Sequence, residues 1–285
     1  MIRFARPGDR AQLKLLWQEA FGDSNEDTAF YFDHRHRDNR LLLWEQDDVI
    51  AGMLTLLPCD FMIDGTAYPA RYIYAVATAQ AFRRQGISTQ LMQYAHTWMQ
   101  QQGLAASVLA PATPELFDFY AKRGYTIAFY VAHTEVSFPA DGTLAANTQA
   151  RPASLATYTQ IRDAAMMGSR LYVRWDAEAL GFVLLSEKAA GNQVLHITAP
   201  GGEACAICQH IAPGQVRVVE LITLGLQAQE ALCALHSQLQ AQTYVLRLPQ
   251  NAWPDCPPTP LGMIYPLTDL PKGTGGPAYL GLIKD

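Results

Sequence analysis

Arg83-Arg84-Gln85-Gly86-Ile87-Ser88-Thr89 joins a predicted strand, Tyr72 to Thr78, to an amphipathic helix whose apolar residues recur at three- and four-residue steps. The first amides of a helix have no partner within it, and the aligned peptide dipoles leave partial positive charge at that end. Gly86 has no Cβ, so a ligand can approach the backbone closely there. The turn and its two arginines therefore predict a site for an anion, most often a phosphate.

The spacing within residues 83–89 narrows the choice of phosphate ligand. The run has neither the Gly-Lys-Ser/Thr of a nucleotide-triphosphate loop nor the three glycines of the dinucleotide fingerprint. It matches Arg/Gln-x-x-Gly-x-Gly/Ala at Arg83, Gly86 and Ser88, and so resembles the phosphate loop of the GCN5-related N-acetyltransferases (GNATs). Ser88 replaces the usual Gly or Ala and is also small.

A second motif lies downstream, at Tyr120-Ala121-Lys122-Arg123-Gly124-Tyr125, and reads as the end of a helix with glycine at its C-terminal cap. It resembles the Tyr-x-x-x-Gly-Tyr/Phe of the last GNAT helix, whose tyrosine often protonates the departing coenzyme A thiolate. Because the two motifs occur in the family's order, residues 1–139 resemble a complete GNAT domain.

The resemblance implies acetyl-CoA as co-substrate and no metal. Backbone groups of one strand would pair with the pantetheine arm, and loop amides, supplemented by the arginine side chains, would hold the pyrophosphate. The expected cofactor-binding residues are Val76, Ala77, Thr78, Arg83, Arg84, Gln85, Gly86, Ile87, Ser88 and Thr89.

By the same resemblance Tyr120 is the expected catalytic residue, since a phenol of pKa ~10 is protonated at neutral pH and can donate to a thiolate. The general base stays open, because the strand Tyr72 to Thr78 lacks the glutamate that many GNATs carry there. The alternatives are a water chain, a carboxylate at Glu26 or Glu135, or the carboxylate of Asp285.

The order of predicted elements in residues 1–139 is strand, two helices, antiparallel strands, helix, strand, helix and strand, which indicates a mixed α/β fold with a sheet flanked by helices. A stretch rich in Ala, Gly, Thr and Pro predicts a linker over 140–152. Residues 153–285 are predicted to be a second, degenerate GNAT-like domain, in which Leu180 to Ser186 is expected to be a strand. An unrelated α+β domain is the alternative.

In the second half, residues 224–228 occupy the place of the phosphate loop but contain no arginine. The tandem layout resembles the enhanced-intracellular-survival branch of the family, without its sterol-carrier-like third domain. We therefore expect an N-acetyltransferase that acts on a primary amine of a small molecule or peptide. The alternatives are a tandem transferase of the mycothiol-synthase or aminoacyl-transfer type, and a non-catalytic acyl-CoA-binding regulatory protein.

Composition limits the partners and the compartment. The formal net charge of the 285 residues is −5, which gives no general attraction to nucleic acid or anionic membranes, and no run of about 20 apolar residues is present. Five scattered cysteines favour a reducing cytoplasm without a disulfide framework. Cys205 and Cys208 with His210 have a metal-like spacing, but a strand places Cys205 on the opposite face, so no metal site is expected. The amine acceptor and the oligomeric state stay open.

Overall fold

The computed structural model describes residues 1–138, 148–271 and 278–282. The chain divides into two compact units. Unit 1 comprises Met1–Phe61, Ala67–Thr126 and Met263–Lys272, and unit 2 comprises Met62–Thr66, Ile127–Gly262 and Gly273–Asp285. Residues 140–147 of the predicted linker lie outside the described residues, and its last four residues form a strand. The predicted domain limits stay a prediction.

Helices and strands are interspersed along the described residues. The first half contains β1 (Ile2–Phe4), α1 (Arg10–Phe21), α2 (Asn25–His34), β2 (Leu41–Gln46), β3 (Val49–Ile63), β4 (Thr66–Thr78), α3 (Ile87–Gln101), β5 (Ala106–Leu109), α4 (Pro114–Ala121) and β6 (Thr126–Ser137). The second half contains β7 (Gln149–Pro152), α5 (Leu155–Met166), β8 (Leu171–Arg174), α6 (Ala177–Ala189), β9 (Gln193–Ala199), β10 (Gly202–Ala212), β11 (Gln215–Leu224), α7 (Ala228–Leu239), β12 (Thr243–Pro249) and β13 (Pro258–Pro266).

Unit 1 is built on a sheet in the order β1-β2-β3-β4-β5-β13. Strands β1, β2 and β3 pair antiparallel, β4 and β5 pair parallel, and β13 pairs antiparallel with β5. The apolar face of α3 packs on this sheet, as the sequence predicted, with Ile87, Leu91 and Met99 buried. Gly52 in β3 permits this close packing, because a Cβ there would lie 2.6 Å from the Cγ2 of Ile87.

Unit 2 repeats this plan. Its sheet has the order β6-β12-β11-β10-β9-β7. Strands β7, β9, β10 and β11 pair antiparallel in sequence, and β11 pairs parallel with β12, as β4 does with β5. Helices α5 and α6 precede β9, and α7 joins β11 to β12, in the places that α1, α2 and α3 hold in unit 1. The predicted mixed α/β fold, with a sheet flanked by helices, is therefore confirmed.

The core of unit 2 contains charged side chains. Glu220 of β11 has no exposed surface and accepts hydrogen bonds from the hydroxyls of Tyr158 and Tyr279. The Nε of Arg162, also fully buried, lies 3.3 Å from the same carboxylate. Burial and the nearby carboxylate raise the pKa of both tyrosines, so the phenols keep their protons and donate to Glu220.

One predicted element is wrong. Leu180 to Ser186, expected to be a strand, lies within helix α6. The side chain of Asp176 starts this helix by accepting a hydrogen bond from the amide of Ala179 at 2.7 Å. Both Leu180 and Phe182 are buried, so the apolar residues do not form the single stripe by which a helix is recognised in a sequence.

Candidate active site

The pairing between β4 and β5 is short. It runs from Ala70 to Tyr72 on β4, whereas β4 continues to Thr78. Ala75 lies just beyond the paired segment and has a φ of 53°, an unusual value for a residue with a Cβ. Such a conformation costs on the order of 1–3 kcal/mol and is typical of functional sites. The end of β4 that contains Val76, Ala77 and Thr78 thus extends past its pairing with β5.

The turn before α3 has the conformation of an anion-binding loop. Arg84 and Gly86 both adopt left-handed backbone conformations, with φ of 64° and 77°. Among the described residues, no backbone acceptor faces the amides of 84–89, and the first bonded amide is that of Gln90, which donates to the Gly86 carbonyl at 3.0 Å. The nearest atom to a Cβ built on Gly86 is 4.0 Å away. The loop therefore has several amides without a backbone acceptor, next to a glycine with open space at its Cβ position.

The three arginines around this turn differ in how they are held. Arg83 and Arg84 are exposed, and the Nε of Arg83 donates to the carbonyl of Thr78 at 3.2 Å. Arg123 follows α4, and its guanidinium donates to the hydroxyl of Thr89 at 2.6 Å. Arg123 was not predicted from the sequence to be a site residue. The signal in the sequence was a basic residue directly before the glycine of the second motif. The direction of its side chain, however, depends on how α4 packs against α3.

Tyr120 lies in the last turn of α4 and is 8% exposed. Its ring makes edge-on contacts with the rings of Phe119 and Tyr125, with centroids 5.2 and 5.9 Å away. Burial raises the pKa of Tyr120 to about 12. The phenol therefore carries its proton throughout the physiological pH range, as a hydrogen-bond donor to a leaving group requires.

A polar network lies beside Tyr120. The hydroxyl of Tyr125 bonds to the hydroxyl of Ser107 at 2.6 Å and to Nε2 of His96 at 2.8 Å. The imidazole of His96 also stacks on the ring of Tyr265 in β13, with centroids 4.2 Å apart. Burial lowers the pKa of His96 to about 4, so this histidine is neutral at pH 7. The network fixes the turn that follows the tyrosine, because the amide of Tyr125 donates to the carbonyl of Tyr120.

The candidate bases that the structure describes are both exposed. Glu26 is exposed in the first turn of α2, and Glu135 is exposed on β6 in unit 2. Asp285 lies outside the described residues. The general base therefore stays unassigned.

Two further properties bear on the type of protein. Within the described ranges, no helix has the length and apolar character needed to cross a bilayer. The described His, Cys, Asp and Glu side chains form no group that could hold a metal ion. Burial raises the pKa of the Cys205 and Cys208 thiols to about 12, so both are uncharged.

Unit 2 has no open loop at the equivalent turn. Gly225 has a φ of 79°, but a Cβ on it would lie 2.6 Å from the carbonyl oxygen of Gly201, where Gly86 has open space. The amide of Gln227, at the start of α7, already donates to the carboxylate of Glu230 at 2.9 Å. The backbone of Gly201 therefore occupies the space beside Gly225 that is open beside Gly86.

Comparisons with known proteins agree with this geometry. A family model described as an acetyltransferase (GNAT) domain matches residues 1–128. A GCN5-related N-acetyltransferase from Anabaena variabilis ATCC 29413 is 18% identical, with a TM-score of 0.77 over 94% of this chain and 73% of that one. One from Kribbella flavida is also 18% identical, with a TM-score of 0.72 over 93% and 70%.

A third similar structure is Eis1 from Mycobacterium abscessus, which is 16% identical with a TM-score of 0.69, over 94% of this chain and 74% of that one. No curated protein matches the sequence. At these identities the structures establish the fold, which extends over nearly the whole chain, and the family model adds the sequence pattern of its first 128 residues. Residues 1–128 therefore match the acetyltransferase (GNAT) domain model, and the chain as a whole has the fold of the GCN5-related N-acetyltransferase structures it resembles.

Proposed function

We propose that the protein is an acetyl-CoA-dependent N-acetyltransferase that acts on a primary amine of a small molecule or a peptide. The observation that carries the proposal is the turn before α3, where the amides of residues 84–89 have no backbone acceptor among the described residues and the Cβ position of Gly86 faces open space. These amides, with Arg83 and Arg84, would hold the pyrophosphate of coenzyme A. Val76, Ala77 and Thr78, beyond the paired part of β4, would bind the pantetheine arm.

The chemistry needs a neutral amine, a held thioester and a stabilised leaving group. The amine nitrogen attacks the carbonyl carbon, the C–S bond then breaks, and the proton lost by nitrogen balances the one gained by sulfur. With a pKa of about 12, the Tyr120 phenol is a weaker acid than a thiol, whose pKa is ~8.5. We therefore assign to Tyr120 a hydrogen bond to the sulfur as negative charge develops there, rather than the net supply of a proton.

Unit 2 is proposed to be non-catalytic. Its turn at Gly225 lies against Gly201, and the amide of Gln227 is bonded to Glu230, so the turn lacks the open approach to the backbone that Gly86 gives in unit 1. One acyl-CoA site per chain is therefore expected, in unit 1. Titration calorimetry with coenzyme A should give a stoichiometry of one, and a stoichiometry of two would contradict this assignment.

The test of the function is release of thiol from acetyl-CoA over a panel of amines that includes a polyamine, an aminoglycoside, a peptide N-terminus and lysine. We expect amine-dependent release with at least one class. In Tyr120→Phe, kcat should fall by about 100-fold while the affinity for coenzyme A is kept, because removing one hydrogen-bond donor to charge that develops in the transition state typically costs 10²–10³-fold. Tight binding of acetyl-CoA without release from any acceptor would favour the non-catalytic regulatory alternative instead.

A further inference from the structure

We propose that Arg123 is the principal side chain that binds the phosphate groups of the donor, ahead of the two arginines in the loop itself. The inference rests on the proposed function of unit 1, and it adds a residue that the loop motif does not contain. Three observations support the proposal: the contacts that hold the guanidinium, its position at the start of α3, and the N–H groups that remain without an acceptor.

The guanidinium of Arg123 is held on three sides. One terminal nitrogen donates to the carbonyl of Phe119 at 2.6 Å, the other donates to the hydroxyl of Thr89 at 2.6 Å, and the central carbon lies 3.4 Å from the centre of the Phe119 ring. Arg83 and Arg84 are exposed by comparison. Ordering a free arginine side chain costs up to about 2 kcal/mol, so a prearranged guanidinium binds an anion at less entropic cost.

The position of the guanidinium is equally informative. Thr89 is the third residue of α3, so Arg123 lies at the first turn of that helix, beside the amides that have no backbone acceptor. A cation is repelled by the positive end of a helix dipole, and an anion bound between them is attracted by both. The placement is therefore unfavourable for a purely structural arginine and favourable for one that binds phosphate.

Arg123 also retains unused hydrogen-bonding capacity. Its Nε is buried and has no acceptor, and within the part of the chain that is described no carboxylate pairs with the guanidinium. Burial lowers the pKa of Arg123 from its usual value, which is the direction expected for a cation without a counter-ion. Each terminal nitrogen makes only one of the hydrogen bonds given above and so keeps a second N–H, which can donate to a phosphate oxygen.

The experiment compares two donors that share the thioester. Acetyl-CoA carries the phosphates and acetyl-pantetheine does not, so a phosphate contact affects only the first. In Arg123→Met, which keeps an unbranched side chain over the Phe119 ring, we expect kcat/KM for acetyl-CoA and the affinity for coenzyme A to fall about 10- to 100-fold. The value of kcat/KM for acetyl-pantetheine should stay within about two-fold of the wild type.

Three further variants separate the possible explanations. Lys122→Met removes the neighbouring exposed charge and should weaken coenzyme A binding by no more than about two-fold. Arg123→Lys keeps the charge without the planar fork and should lie between wild type and Arg123→Met. Thr89→Val removes one restraint on Arg123 without changing its charge and should cost about three- to five-fold. The last two variants keep the proposal testable if Arg123→Met folds poorly.

Two outcomes would overturn the inference while leaving the transferase assignment intact. The first is equal weakening of coenzyme A by Arg123→Met and Lys122→Met, which would indicate only a general electrostatic effect. The second is an equal fall in kcat/KM for both donors in Arg123→Met, which would indicate a structural role at the end of α4. Wild-type protein that fails to bind coenzyme A at all would instead overturn the proposed function, and this inference with it.

Discussion

His96 should make unit 1 sensitive to mild acid, well above the pH at which carboxylates are protonated. Burial lowers its pKa in the folded protein to about 4, against ~6.5 in an unfolded chain. The unfolded state therefore binds more protons between these values, so stability is full above pH 6.5 and falls as the pH drops toward 4. The difference in free energy of unfolding is about 2 kcal/mol at pH 5 and approaches roughly 3.4 kcal/mol below pH 4.

The assay is urea unfolding of the wild type and His96→Gln at pH 7.5 and pH 5.0, with amide exchange of α3 peptides as the local readout of unit 1. Glutamine can still bond to the Tyr125 hydroxyl but does not titrate, so the variant should lose less stability between the two pH values, by about 2 kcal/mol. Burial lowers the pKa of His36 as well, so some pH dependence should remain in the variant. His34→Gln, at an exposed position of α2, is the matched control. Equal losses in wild type and His96→Gln would refute the reasoning.

Three further substitutions test the packing around the site and the core of unit 2. Gly86→Ala should cost about 1 kcal/mol of stability, because residue 86 has a positive φ. It should also raise KM for acetyl-CoA, because the new methyl group enters the open space beside the loop. An unchanged KM would argue against a phosphate at this position. Gly52→Ala should destabilise unit 1 by roughly 1–3 kcal/mol in denaturant unfolding, since its Cβ would meet Ile87 at 2.6 Å, and a neutral result would mean that α3 can shift freely. Glu220→Gln should lower the stability of unit 2 by about 3–5 kcal/mol by leaving Arg162 buried without a counter-charge, with amide exchange of β11 as the measurement; exchange no faster than in the wild type would contradict it.

The local features were readable from the sequence because each depends on a few adjacent residues. The glycine at a strand-to-helix turn and the stripe of apolar residues on α3 follow from backbone geometry and helical period alone. Helix α6 was missed because it is buried around more than one face, which removes the periodic signal. The contact of Arg123 with Thr89 was not predictable, since it joins residues 34 positions apart through the packing of two helices.

The strand that pairs with β5 could not be predicted either, because it comes from a distant part of the sequence. A sequence pattern predicts that Met263 to Leu267 is extended, but not which strand it joins. The pairing of Met263 with Leu109 is a tertiary choice between strands far apart in the chain. The general base stays unassigned, because the strand Tyr72 to Thr78 carries no glutamate.

Because β13 comes from the C-terminal part of the chain, its pairing with β5 affects how the protein folds during synthesis. Leu109 leaves the ribosome about 150 residues before its partner Met263, a delay of roughly 10–30 s at ordinary rates of translation. Throughout that interval the β5 edge of the nascent sheet is unpaired, and His96 lacks its stacking contact with the ring of Tyr265. A fragment that ends at residue 128 would lack β13 permanently and would leave the edge of β5 unpaired. Such a fragment should therefore aggregate.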